Sequence, residues 1–211
     1  MGKLMELIDE NMKPEDIAEI AVKDKNILEE LLHGVSPQNS LEKLRSNSHQ
    51  ALLIMSSKYP GTLYERWDYF ADLLKSKHSF SRTSGLYIIT NLTIIDKENK
   101  FDKIYDDYFS LINDEALSVA AHTAKLFGKI ALTKPNFESL ITEKLLSIDR
   151  TSHTESHKSL VKAYIIEAFD YYFNKASDKE EITMFVKDQF ESKSPKAKKL
   201  AEKFLKKYCI M

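Results

Sequence analysis

Apolar residues recur at i, i+3, i+4 and i+7 along most of the chain, the spacing of a helix with one buried face. Five stretches carry the pattern most clearly: SNSHQALLIMSSKYP at 46–60, SRTSGLYIITNLTIID at 81–96, SVAAHTAKLFGKIA at 118–131, ESHKSLVKAYIIEAF at 155–169 and PKAKKLAEKFLKKY at 195–208. Their inner positions align at Ala51, Gly85, Thr123, Val161 and Leu200, at intervals of 34, 38, 38 and 39 residues. Second amphipathic stretches lie between them, at 62–77, 100–114, 137–148 and 179–190. A helix pair repeating about every 40 residues is the signature of a stacked array, in which one pair cannot bury its apolar face alone. The segment before the array reads as short acidic helices near 3–11, 14–22 and 27–33.

The punctuation agrees with this period. Thr62–Glu65, Ser152–Glu155 and Ser177–Glu180 fit the S/T-x-x-E capping box, and Ser36–Pro37 and Ser194–Pro195 put a capping serine before a proline at the first helical position. Tyr59-Pro60-Gly61 and Lys134-Pro135-Asn136 break helices between paired segments. In 118–131, Ala120, Ala121, Ala124 and Gly128 are small enough to let a neighbouring helix come close.

On those residues the chain resembles the HEAT-repeat family. Val119, Thr123, Ala124, Phe127 and Gly128 occupy the valine, paired small, large apolar and glycine places of the second-helix motif, with Ala120 where arginine is usual. Arg82 fills that arginine place one repeat earlier, followed by Gly85, Leu86 and Ile89. The resemblance implies an all-α, right-handed α-α superhelix of about five helix pairs in a single domain. Residues 1–35 would form an acidic N-terminal cap, 36–193 the repeats and 194–211 a basic C-terminal capping helix. It also implies that second helices line a concave side and first helices a convex one.

Charge changes the picture when it is divided that way. The formal net charge is only −1. Yet the second helices, taken as 38–58, 79–92, 117–134, 154–175 and 194–208, sum to +11, while the first helices sum to −7 and residues 1–37 to −5. The expected concave surface is therefore basic. It would carry Arg45, His49, Arg82, Tyr87, Asn91, His122, Lys125, Lys129, His157, Lys158 and Lys162, ending at Lys199, Lys203 and Lys206. Such a surface attracts anionic partners. A solvated lysine face serving solubility alone gives the same tally.

The remaining composition mostly excludes. Five glycines and no phosphate-cradling motif speak against a nucleotide site, and no G-x-S-x-G, P-loop or dinucleotide fingerprint occurs. Neither an enzyme nor a cofactor is expected. His153 and His157 are spaced i, i+4, but not as H-E-x-x-H, and a metal is not expected there. The run Tyr64, Trp67, Tyr69, Phe70 reads as core rather than as a stacking platform, as do Tyr105, Tyr108, Phe109 and the stretch 164–173, which keeps Glu167 and Asp170 on its polar edge. Arg82 suits a salt bridge to Asp68, Asp72 or Asp114 better than a ligand contact.

The single cysteine, Cys209, permits no intrachain disulfide and fits a reducing, cytoplasmic setting. In the final YCIM the cysteine is third from the end, so it is not read as a prenylation box. The acidic N-terminus lacks the apolar run of a signal peptide, and the longest aliphatic run, ALLIM at 51–55, is too short to span a bilayer. Two functions follow as expectations. One is a non-catalytic scaffold binding an acidic protein or peptide. The other is nucleic-acid binding in the same groove, similar to HEAT-like DNA glycosylases but without a placeable catalytic aspartate.

Overall fold

The computed structural model describes residues 2–209, which form thirteen α-helices joined by short 3-10 turns, with no strand among them. Met1, Ile210 and Met211, at the ends of the expected capping segments and in YCIM, lie outside the described residues. The contacts divide into two compact units, Met1–Asp107 and Tyr108–Met211, a division that the sequence pattern does not mark. No helix of the described residues is long and apolar enough to cross a membrane.

The first unit contains α1 (Lys3–Asp9), α2 (Pro14–Lys23), α3 (Lys25–Val35), α4 (Glu42–Lys58), α5 (Pro60–Tyr64), α6 (Trp67–Leu73) and α7 (Ser79–Leu92). Here α2 and α3 pack on α4, α4 packs on α7, and α5 and α6 lie against α7. The division falls inside α8 (Tyr105–Ser110). The second unit contains α9 (Leu117–Thr133), α10 (Glu138–Leu146), α11 (Glu155–Tyr172), α12 (Lys179–Asp188) and α13 (Pro195–Lys207). There α9 packs on α11 and α11 on α13, while α10 and α12 pack on each other and against α9 and α13 respectively. That is a layer of successive second helices beside a layer of successive first helices.

The residues that set this spacing are small. A β-carbon on Gly128 would overlap the Ala168 carbonyl oxygen and lie 2.7 Å from the Ala168 Cα, so α9 and α11 meet backbone to backbone. Gly85 holds α7 against α6 in the same way, with the Phe70 carbonyl oxygen 2.8 Å from where its β-carbon would be. Around these contacts each unit fills its own core. In the first unit Leu52, Trp67, Phe70 and Ile89 are buried, and in the second Phe127, Ile141, Ile165, Phe169 and Val186.

The second helices form where expected, but the first helices are more broken. The stretch 62–77 splits into α5 and α6. The stretch 100–114 becomes a 3-10 turn at Lys100–Lys103, then α8, then a second 3-10 turn at Leu111–Asn113. Buried Asp96 explains the tight start of that region. Its carboxylate accepts the backbone N–H groups of Lys100 at 2.9 Å and Phe101 at 3.0 Å, and the Tyr64 hydroxyl at 2.7 Å.

Several expected caps are replaced by neighbours. Ser194 does cap α13, accepting from Ala197 N at 3.3 Å ahead of Pro195. Ser36, however, ends α3 rather than starting α4. Buried Asn39 donates to the Gly34 carbonyl and accepts from Leu41 N, holding a loop where a helix start was expected. Thr62 lies inside α5. Thr154 caps α11 in place of Ser152, whose hydroxyl instead donates to Asn113. Asp178 caps α12 in place of Ser177, because Ser177 is engaged by the buried Glu138 carboxylate at 2.7 Å. A carboxylate is also the stronger acceptor for a helix N-terminus.

Candidate functional site

The expected surface residues fall into two groups, one in each unit. In the first unit α4 and α7 bring Arg45, His49 and Tyr87 together with His78, Phe80 and Ser84. Arg45 donates to His78 Nε2 at 2.9 Å and lies 5.6 Å from the Phe80 ring centre. Ser84 donates its one hydroxyl proton to the Phe80 carbonyl, so His49 Nδ1 is the donor in the 2.9 Å contact between His49 and Ser84. The His49 ring also stands edge-on to Phe80 and Tyr87. Asn91 donates to Ser56 at 2.9 Å. Arg82 is buried, and its guanidinium donates to the Ser76 carbonyl at 2.7 Å, bracing the turn before α7 rather than facing solvent. This group is a set of side-chain contacts between two helices, in which the buried His78 Nδ1 has no hydrogen-bond partner among the described residues.

The second unit is different. On the joint face of α9, α11 and α13, half-buried Glu167 sits between two lysines, Lys125 Nζ at 2.8 Å and Lys196 Nζ at 2.9 Å. Lys196 also lies 3.4 Å from the centre of the Tyr164 ring, a cation–π distance, and His122 packs 6.2 Å from the same ring. Beside this cluster runs a groove of about 410 Å³. Its apolar floor is Ile166, Leu200 and Phe204, and its rims carry Lys125, Glu167, Asp170, Tyr171 and Lys203. Tyr171 is 41% exposed there.

Lys203 at the groove rim and Lys199 and Lys206 farther along α13 are exposed and form no ion pair among the described residues, with Glu202 on the same surface. Lys129 is half-buried on α9. The other expected lysines are matched by acids: Lys158 with Glu155 at 3.0 Å, and Lys162 with Asp149 at 2.8 Å. His157 stands edge-on to His153 at 6.3 Å, and His153 Nε2 donates to the Ile112 carbonyl at 2.9 Å. The surface is therefore less uniformly basic than the charge tally of whole helices implies.

Sequence reasoning missed Lys196, Tyr164 and Tyr171 as surface residues. The signal was available. Tyr164, Glu167 and Tyr171 are spaced i, i+3, i+7 on α11, and Lys196, Lys199 and Lys203 are spaced i, i+3, i+7 on α13, so each set shares one helix face.

The cluster has a pH signature. Burial opposes the charge on Glu167, but hydrogen bonds from Lys125 and Lys196 outweigh it and hold the carboxyl below its ordinary range. Burial, and then the charges of Lys125 and Lys196, push His122 below its ordinary value of 6.5. A lowered histidine pKa means that the unfolded chain takes up the proton first, so stability is full above 6.5 and falls as pH drops below it. A lowered carboxyl pKa adds a second loss below about 4.5. We expect the thermal midpoint to fall between pH 8 and pH 5.5, and expect His122→Asn to flatten that part of the profile. Identical profiles for the two proteins would remove His122 from this account.

No protein-family model matches the chain, and no curated protein matches it. Among solved structures it is similar to an engineered protein whose crystal structure comes from the Northeast Structural Genomics Consortium. The TM-score is 0.56, with 98% of each chain covered at 13% sequence identity. At that identity the likeness concerns the fold alone, and the fold the chain belongs to is all-α.

Proposed function

We propose that the chain is a non-catalytic helical-repeat module of the HEAT type, working in the reducing cytoplasm, whose second unit binds an acidic segment of a protein partner. The observation that carries this reading is the exposed row Lys199, Lys203 and Lys206, which forms no ion pair among the described residues, holds a single acid, Glu202, and borders a groove with an apolar floor. A groove of that kind takes an apolar side chain of the partner while neighbouring carboxylates meet the lysines. Glu167 supports the same chemistry from within, because it already occupies a carboxylate position between Lys125 and Lys196.

The choice of a peptide over a nucleic acid follows from the rims. Glu167 and Asp170 lie among the lysines, and a continuous polyanion would meet both. A peptide with spaced acids and one apolar anchor would not.

The test is fluorescence anisotropy with a labelled peptide of alternating Glu and Leu, at ~50 mM and ~300 mM salt. The wild type is expected to bind, and more weakly at the higher salt. Lys199→Glu, Lys203→Glu and Lys206→Glu together are expected to weaken binding about tenfold or more. Glu167→Gln is expected to strengthen it, because it removes an internal competitor for Lys125 and Lys196. Binding that ignores all four changes, or a marked preference for duplex DNA over the peptide, would overturn the reading.

A further inference from the structure

Helices α10 and α12 of the second unit flank a groove of about 510 Å³ that shares no residue with the groove beside α13. Its charge is one-sided. Glu138, Glu143, Asp178 and Glu181 line it against a single cation, Arg150, and Lys144, Lys179 and Lys187 of the same helices form no part of its lining. Glu143, Asp178 and Glu181 are exposed and form no ion pair among the described residues.

Glu138 sets this groove apart from an ordinary acidic surface. It is 8% exposed, and its carboxylate accepts from Thr142 Oγ1 at 2.9 Å, from Ser177 Oγ at 2.7 Å and from Ser177 N at 3.3 Å. Thr142 has given its one hydroxyl proton to Glu138, so it accepts from the Tyr172 hydroxyl at 2.7 Å. Ser177 takes both acceptor places on Oε2 and Thr142 takes one on Oε1, which leaves Oε1 a free place. A carboxylate buried this far is ordinarily matched by a cation. Among the described residues no cation pairs with Glu138, yet it forms part of the wall of a space that a long cationic side chain can enter.

The helices beside the groove add apolar surface to the acids. Leu140 follows Ser139 of the groove lining and stands one turn from Glu143, spaced i, i+3, as Met184 does from Glu181 on α12. These two apolar side chains are 41% and 53% exposed. A free ion needs no apolar surroundings, whereas a protein segment covers apolar side chains as it matches charges.

We infer that the groove between α10 and α12 docks a basic segment of a partner protein. An arginine or lysine side chain enters toward Glu138, between Glu143 and Glu181, and apolar residues of the same segment cover Leu140 and Met184. This surface is separate from the α13 face and does not rest on the reading given for it.

The experiment is fluorescence anisotropy of the full chain with a labelled peptide of alternating Arg and Leu, at ~50 mM and ~300 mM salt. The wild type is expected to bind, and more weakly at the higher salt. Glu143→Gln with Glu181→Gln, both at exposed positions, is expected to weaken binding about tenfold or more. Glu138→Gln keeps an acceptor oxygen for Ser177 and is expected to weaken binding by a similar factor. Leu140→Ser with Met184→Ser is expected to weaken it about threefold or more. Neutralising the exposed acids of α2, with Glu15→Gln, Asp16→Asn and Glu19→Gln, is expected to leave binding unchanged.

A wild type that ignores the peptide at low salt overturns the inference. So does binding that survives Glu143→Gln with Glu181→Gln, or that falls as much with the α2 changes, which would mark a general attraction of the acidic surface. Spermidine that displaces the peptide at equal concentration, together with indifference to the Leu140 and Met184 changes, would make the groove a small-cation site and overturn the docking of a protein segment.

Discussion

Replacing Gly128 by alanine is expected to destabilise the second unit by about 2 kcal/mol or more, although alanine is the better helix former by ~1 kcal/mol. The reason is local. The added methyl would press on the Ala168 backbone, with its Cα 2.7 Å away and its carbonyl oxygen closer still. A flexible side chain could turn aside, but the backbone of α11 can yield only by shifting the whole helix. That shift would loosen the contacts of α11 with both α9 and α13.

Gly61→Ala is the matched control. It lies in α5 with no atom within 4 Å of its would-be β-carbon, so the same chemical change should stabilise by ~0.5–1 kcal/mol. Thermal unfolding followed by circular dichroism checks both, with midpoints expected to move in opposite directions. A rise in midpoint for Gly128→Ala would mean that α9 and α11 do not meet at their backbones.

The second large effect is expected at Trp67, the single tryptophan. It is 1% exposed and packs edge-on to Tyr64 at 5.7 Å. Trp67→Ala should cost about 3–5 kcal/mol, the usual loss for emptying a large aromatic site in a core. For a chain of this size that corresponds to a fall in midpoint of roughly 10 °C. Trp67→Phe should cost much less, because the indole N–H has no hydrogen-bond partner among the described residues to lose. If instead Trp67→Ala unfolded like the wild type while losing peptide binding, the ring would be a recognition element rather than core.

Trp67 also shows what could be read from the chain alone. Its helical spacing with Phe70 placed it inside, and both are buried. The same periodicity located α4, α7, α9, α11 and α13 to within a few residues, because those helices bury long apolar faces that outweigh local preferences. Gly85 and Gly128 stood out as small residues at motif positions, and both prove to be points of closest helix approach.

The details that escaped are tertiary. Ser177 and Ser152 have the sequence of helix caps, but Glu138 and Asn113, each 39 residues away, engage them instead. The 3-10 turn at Lys100–Lys103 starts on the buried Asp96 carboxylate, a contact that local spacing does not reveal. The surface was legible as a row of lysines on α13, since nothing but solvent meets that face. Charge counted by helix could not show that Glu167 neutralises Lys125 and Lys196, because that depends on which turns of α9, α11 and α13 lie side by side. Arg82 reads in sequence both as a surface residue and as a structural one suited to a carboxylate; it is buried, and its guanidinium donates to the Ser76 carbonyl, a partner that spacing alone does not reveal.

The central functional claim is that one face of the second unit, built from α9, α11 and α13, takes an acidic segment. Backbone amide chemical shifts recorded while the Glu-Leu peptide is added test it most directly. The account predicts shifts concentrated at Lys125, at residues 164–171 and at residues 196–206, growing together to a single saturation point. Shifts scattered over charged residues of both units without saturation, or centred on α4 and α7, would contradict it.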